Sequence, residues 1–353
     1  MKYVTLSLRK ANEWENSAPT FDQAIRKEEF VVLLGPPGGG KTSILKKFLA
    51  ENPDDTQMIS VKMFLRKTED VKEGANFLLL DGLDEFRCYS NTEKTSIIYD
   101  LADKINKLKA CKVALSCREL DWFGEVDLTG LQDVLNVKPG VYYIQPPDFK
   151  QKEELAEAFG IKEIGSFFDR YDSLGFLENP MVFYMVAEIH KNNPSAVFQS
   201  KQELYLSFFS MIKETNPTHK INSTEDLEPI ERLIFSGYIA AFFFFTDVEK
   251  ITDEALDYIA VSRKGFSKSK LKHAINSFIF RDGRFAHRTL AEFSLANYIV
   301  KSVLRKNSVR SLARVKTFFH SKGRIPTELR GIYAWICSLS GDLRLFKDDP
   351  FYQ

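Results

Sequence analysis

The sequence predicts an α/β fold: a parallel sheet in the first half, then a helical domain and a small helix-and-hairpin domain. Three observations predict it. Phe30 to Leu34 is a continuous apolar run that breaks into Gly35-Pro36-Pro37-Gly38-Gly39-Gly40 and restarts as a helix at Lys41-Thr42-Ser43. Two more apolar runs, Phe77 to Leu80 and Val113 to Leu115, end in polar or charged residues, as parallel strands buried on both faces do. From Lys150 onward the apolar spacing is helical almost throughout.

The chain has 353 residues, enough for two or three domains. A lead-in is expected over 1–28, with a helix across Thr20 to Lys27, and no N-terminal effector domain is expected within it. The parallel sheet takes 29–149, a helical domain 150–225, a helix-and-hairpin domain 226–305, and a further helical region 306–353. Gly35, Gly40, Lys41 and Thr42 satisfy the spacing G-x-x-x-x-G-K-[ST] in full. The glycines let the loop turn its amides inward around phosphates, and the following helix points its positive end at the anion. Lys41 supplies a charge to the β- and γ-phosphates, and the Thr42 hydroxyl is the expected Mg2+ ligand. Met58 to Leu65 reads as the next strand. Asp81, ending the apolar run at Phe77, would hold magnesium through water. Either Asp84 or Glu85 would orient the attacking water. A helix from Thr92 to Leu108 leads to the strand ending Ser116-Cys117-Arg118. There Arg118 would face the γ-phosphate, or else make a surface salt bridge. Tyr142 to Ile144 is the last strand.

In the second half, short helices are expected over 153–159, 162–173, 201–213, 226–245 and 252–261. Asn179 is a good N-cap before Pro180, which suits a first helical turn. Alternating apolars around Asp282-Gly283, between helices over 270–276 and 289–304, read as a hairpin in a winged helix. The helix Leu329 to Trp335 has an aromatic face and no evident partner in the chain. It suggests a piece of a longer protein, cut before a helical repeat array.

The run Asp81-Gly82-Leu83-Asp84-Glu85 after an apolar strand resembles the NACHT branch of the STAND NTPases. So do Leu115-Ser116-Cys117-Arg118-Glu119 and Phe285-Ala286-His287-Arg288-Thr289-Leu290-Ala291-Glu292-Phe293. The resemblance implies a P-loop NTPase of AAA+/STAND-like fold that binds ATP or ADP with Mg2+ and hydrolyses ATP slowly. It implies that Pro180 packs on the adenine. Glu178 stands where that family often has glycine. It implies that His287 touches the β-phosphate of ADP and latches a closed state, and that the ATP form opens and self-associates. Bacterial members are similar to antiviral defence ATPases, triggered by a ligand such as a phage protein.

Composition bounds these readings. The longest apolar run, Leu233 to Phe245, is too short to span a bilayer and is expected as a helix buried on all sides. Four cysteines without metal-ligand spacing suit a reducing, cytoplasmic setting. Residues 261–330 hold 17 Lys/Arg against three acids, a local charge of +14, which leaves −13 for the rest of a chain of net +1. Such asymmetry fits a basic domain docked on an acidic one, or a nucleic-acid face. The alternative function is therefore a DNA-acting AAA+ ATPase with basic residues Arg263, Lys264, Lys268, Lys270 and Lys272 before the hairpin.

Overall fold

The computed structural model describes residues 4–11, 18–66, 71–89, 96–108, 111–210, 228–246, 248, 250–262, 266–277, 279–281, 283–304, 309–320, 325–342 and 344–345. They form two compact units, Met1–Lys191 and Asn192–Gln353.

The first unit begins with β1 (Leu8–Lys10), α1 (Phe21–Lys27), β2 (Phe30–Gly35), α2 (Lys41–Glu51), β3 (Thr56–Ser60) and α3 (Val61–Leu65). It continues with β4 (Phe77–Asp81), α4 (Leu83–Tyr89), α5 (Ser96–Asn106), β5 (Lys112–Arg118), α6 (Glu125–Leu135) and β6 (Gly140–Ile144). Helices α7 (Phe149–Ala158), α8 (Ile164–Tyr171) and α9 (Pro180–Asn192) follow. The six strands lie in the order β1-β6-β2-β5-β4-β3. All neighbours are parallel except β1, which runs antiparallel to β6.

Alternate residues of the central strands feed two cores. Val31, Leu33, Leu79 and Ala114 pack with Phe21, Ala24 and Ile25 of α1 and with Ile44, Leu45 and Phe48 of α2. Val32, Leu34, Leu78, Leu80, Leu115 and Cys117 pack on the other face with α5 and α6. The connection leaving β2 through α2 thus covers one face, and the connection leaving β5 through α6 covers the opposite one. Adjacent strands whose connections part in this way open a crevice at their carboxyl ends, where such sheets bind ligands.

Two local expectations change. Met58 to Leu65 is not one strand: β3 ends at Ser60, whose hydroxyl accepts from Met63 N and starts α3. A serine cap inside an apolar run decides the switch. The lead-in holds a strand as well, because Leu6 and Leu8 are buried beside β6. The start of the helix expected from Thr92 falls outside the described residues.

The second unit contains α10 (Lys201–Ser210), α11 (Pro229–Phe245), α12 (Asp253–Ser262), α13 (Lys268–Ile275), the antiparallel strands β7 (Phe280–Arg281) and β8 (Arg284–Phe285), α14 (Arg288–Tyr298), α15 (Val309–Phe319) and α16 (Thr327–Ser340). Asp282, Arg263 and Lys264 fall outside the described residues. Helix α11 is not buried on all sides: Ile230 is 65% and Phe245 43% exposed. Its buried side crosses α14 at Gly237, where a Cβ would sit 2.4 Å from Tyr298 Cβ. Nor does α16 lack a partner. Trp335 meets Tyr205 and Phe293, with ring centroids 4.7 and 5.0 Å apart, and Ile332, Tyr333 and Ile336 are buried. Among the described residues, no helix is long and apolar enough to cross a membrane.

Candidate nucleotide-binding site

The site grows from three strand ends. Register sets them side by side: Gly35 of β2 stands opposite Arg118 of β5, and Leu80 of β4 stands opposite Leu115. The loop after β2, the acid ending β4 and the arginine ending β5 therefore meet at one edge of the sheet.

The loop is built for anions. Gly40 caps α2 at φ 95°, with no side-chain bond to the helix amides. That left-handed geometry favours glycine. It leaves the first amides of α2 to an external acceptor. The Lys41 ammonium donates to the carbonyls of Gly35 (2.7 Å) and Pro36 (3.0 Å). Burial pushes its pKa below the ordinary lysine value; Asp84 acts in the opposite direction and Arg118 acts with burial.

Across the sheet edge, the Thr42 hydroxyl donates to Asp81 Oδ2 at 2.9 Å. Ser116 supports the same carboxylate: its Oγ donates to Asp81 Oδ1 (2.5 Å) and accepts from Gly82 N (2.9 Å). Burial raises the Asp81 pKa, while the bonds from Ser116 and Thr42 lower it. The threonine and aspartate oxygens form the hard donor set that Mg2+ takes, together with water and phosphate. A carboxylate made uneasy by burial would gain from a cation there, so these residues fit the ion.

The acids after Asp81 lie on α4, not in a loop. Asp84 is buried, and its Oδ2 is 2.9 Å from Arg118 Nε. Glu85 is exposed, and its side chain lies against Gly82. Arg118 therefore makes an ion pair, but within the site rather than on the surface. Three residues further along α4, Arg87 is buried and bidentate on Asp127, at 2.6 and 2.8 Å. It also donates to Asp121 O, while Phe123 N donates to Asp127.

Helix α9 closes over the loop. Asn179 caps it, with Oδ1 accepting from Met181 N (3.1 Å) and Val182 N (3.3 Å). The other end of the same amide, Nδ2, donates to Pro37 O at 2.9 Å. Met181 N also reaches Gly38 O at 3.3 Å. Pro180 lies beside Gly40, its Cγ 3.9 Å from where a Cβ would stand. Of the residues expected from sequence, Gly35 to Ser43, Asp81, Asp84, Arg118 and Pro180 come together here, with Glu85 on the exposed side of α4. Sequence reasoning missed Ser116, Arg87, Asp127 and the loop contact of Asn179. Ser116 left a signal, as a hydroxyl inside an apolar strand, and Asn179 left one as an Asn-Pro pair.

His287 belongs to the second unit. It caps α14, its Nδ1 accepting from Thr289 N at 3.1 Å. That bond leaves the ring proton on Nε2. In the same unit the basic residues of α13 are matched by acids. Lys268 Nζ lies 2.6 Å from Asp257, Lys270 3.2 Å from Glu231, and Lys272 3.0 Å from Asp253.

No family model matches the chain, and the curated proteins give no match. Solved structures give loose likenesses. A Walker-type ATPase of Pyrococcus abyssi is 13% identical, over 76% of this chain and 92% of that one, with a TM-score of 0.34. AMPPCP-bound DnaA from Aquifex aeolicus is 15% identical, over 72% and 84%, with a TM-score of 0.36. A STAND protein with a tetratricopeptide repeat sensor from Pyrococcus horikoshii is 13% identical, with a TM-score of 0.40. The likeness covers 96% of this chain and 50% of that protein. Likenesses at this level assign neither a family nor an activity.

Proposed function

We propose that the chain binds ATP and ADP and hydrolyses ATP slowly, as a nucleotide-controlled switch of the STAND type. The observation that carries this reading is the Thr42–Asp81 bond between the glycine loop and β4, with Arg118 on the strand between them. A loop lysine, a hydroxyl–carboxylate pair and an arginine at one sheet edge match the charge pattern of a nucleoside triphosphate. Thr42 and Asp81 would hold Mg2+, which when bound neutralises charge on the β- and γ-phosphates. Lys41 exchanges the Gly35 and Pro36 carbonyls for phosphate oxygens. Arg118 exchanges Asp84 for the γ-phosphate. Glu85, exposed where Asp84 is buried against Arg118, is the better placed base for water.

The second unit is read as a helical and winged-helix latch. The ordering of α12, α13, the β7–β8 hairpin and α14 supports this reading, as does the resemblance of the His287 run. In it, His287 contacts the ADP β-phosphate and Pro180 the adenine, and ATP releases the closed form to self-associate. An antiviral role, a phage-derived trigger and a cytoplasmic location follow from the resemblance alone. The acid-paired lysines of α13 weigh against the DNA-acting alternative.

The test is nucleotide binding. Wild type should purify with ADP or bind it when stripped, and Lys41→Ala should lose ADP and ATP binding by at least about a hundred-fold while keeping its fold. A Lys41→Ala protein that binds ATP as wild type does would end the proposal.

A further inference from the structure

We propose that Asn179 is a positioning residue for the phosphate loop. The inference rests on the nucleotide-switch reading and concerns how that site is held. One side-chain amide performs two tasks from opposite ends. Its oxygen caps α9, and its nitrogen grips Pro37 O. Met181 N, the next donor along, reaches Gly38 O. A trans peptide points its C=O and N–H in opposite directions. Fixing the carbonyls of Pro37 and Gly38 on α9 therefore turns the amides of Gly38 and Gly39 away from α9. Gly39 N bonds back to Pro36 O, so the turn is closed on itself as well as held from outside.

Gly38 records how close this approach is. It sits at φ 76°, and a Cβ there would lie 2.8 Å from both Asn179 Oδ1 and Met181 Cβ. The loop is thus shaped against the end of α9 and does not float above the sheet. Coupling of this kind is reciprocal. If α9 docking orders the loop for phosphate, bound phosphate must hold α9 down by the same free energy. Helix α9 ends at Asn192, where the second unit of the chain begins, so a change in its docking reaches the junction directly.

The experiment separates the cap from the grip. Serine caps helices about as well as asparagine but is too short to reach Pro37 and carries no charge. Asn179→Ser should therefore still fold, with its urea midpoint lowered by no more than the loss of one neutral hydrogen bond. It should release ADP about five-fold faster, the worth of one neutral hydrogen bond, with KM for ATP raised and kcat unchanged. Hydrogen exchange at the start of α9 and at Gly38 should quicken in nucleotide-free Asn179→Ser, and should slow on adding ADP in wild type. Asn179→Gln, which retains an amide nitrogen of longer reach, should recover part of the ADP retention. Wild-type release and exchange in Asn179→Ser would overturn the inference. Wild-type protein that binds neither nucleotide would instead overturn the ATPase reading, and exchange in the nucleotide-free proteins would still decide whether Asn179 orders the loop.

Discussion

Two arginine–aspartate pairs each take one member from α4, Arg87 with Asp127 and Asp84 with Arg118, and they differ in kind. Arg87 and Asp127 are 3% and 0% exposed and joined by two bonds. The pair is enclosed further: Arg87 lies 4.4 Å from the Phe123 ring, and Asp127 also accepts from Phe123 N. Arg118 and Asp84, at 13% and 5%, meet through an Nε–Oδ2 contact of 2.9 Å beside Lys41. One pair is locked with no open direction. The other is more exposed, with its arginine at the mouth of the crevice, where a phosphate can compete for it. The contrast separates a residue that builds the site from a residue that works in it, although both are arginine on aspartate a few ångströms apart.

The largest effect should come from breaking the locked pair. Arg87→Ala leaves Asp127 charged and buried, which costs about 3–5 kcal/mol. Urea unfolding of the first unit should show it as a large fall in midpoint. Replacing both members by apolar residues, Arg87→Met with Asp127→Leu, should restore most of the loss, since a buried pair and a well-packed apolar pair are often close in energy. A double variant as unstable as Arg87→Ala would mean that the bonds to Asp121 O and Phe123 N matter more than the charge pair.

Next comes the poised pair. Arg118→Ala should change the unfolding midpoint much less than Arg87→Ala, yet slow single-turnover hydrolysis by about 10²–10³-fold, the usual cost of one donor to developing charge. ATP binding should survive. Asp84→Asn, with the same bond removed from the other side, should not add to Arg118→Ala when the two are combined. Glu85→Gln should bind ATP and stop turnover by itself. If Asp84→Asn, and not Glu85→Gln, abolishes the chemical step, the assignment of base and partner is reversed.

The same contrast shows what the sequence makes legible. Asp81 and Lys41 are readable because each stands at the end of a local pattern, an apolar run or a glycine loop. The sheet was readable strand by strand for the same reason, except where Ser60 turns an apolar run into a helix and where β1 is only three residues long. Ser116 becomes meaningful only once register puts it next to Asp81. Arg87 and Asp127 are 40 residues apart, and Asn179 and Pro37 are 142 apart. No spacing rule connects positions so distant, so a cap was visible in Asn179 and its grip was not. In the second unit, the aromatic face of α16 read as unpartnered because its partners, Tyr205 and Phe293, come from two other helices.

The smallest effect tests the poised side of the comparison through pH. Burial holds the Lys41 pKa below 10.5 and the Asp81 pKa above 3.8. Where the pH lies between the lowered folded value of Lys41 and 10.5, the unfolded chain binds more protons than the folded one. Stability therefore rises with pH in that window. For Asp81 the folded chain holds the proton more tightly, so stability falls as pH climbs from 3.8 through the raised folded value. At neutral pH both charges are less comfortable folded than unfolded, which is the state of a site waiting for its counter-charges. Lys41→Met should remove the alkaline rise in the urea midpoint, and Asp81→Asn the acid-side fall. Each changes neutral-pH stability by about 1 kcal/mol or less. Saturating ADP with Mg2+ should flatten both limbs in wild type, because phosphate favours the charged lysine and the cation favours the charged aspartate. Limbs that persist unchanged with nucleotide would place the phosphates away from both residues and leave the Thr42–Asp81 bond a structural tie.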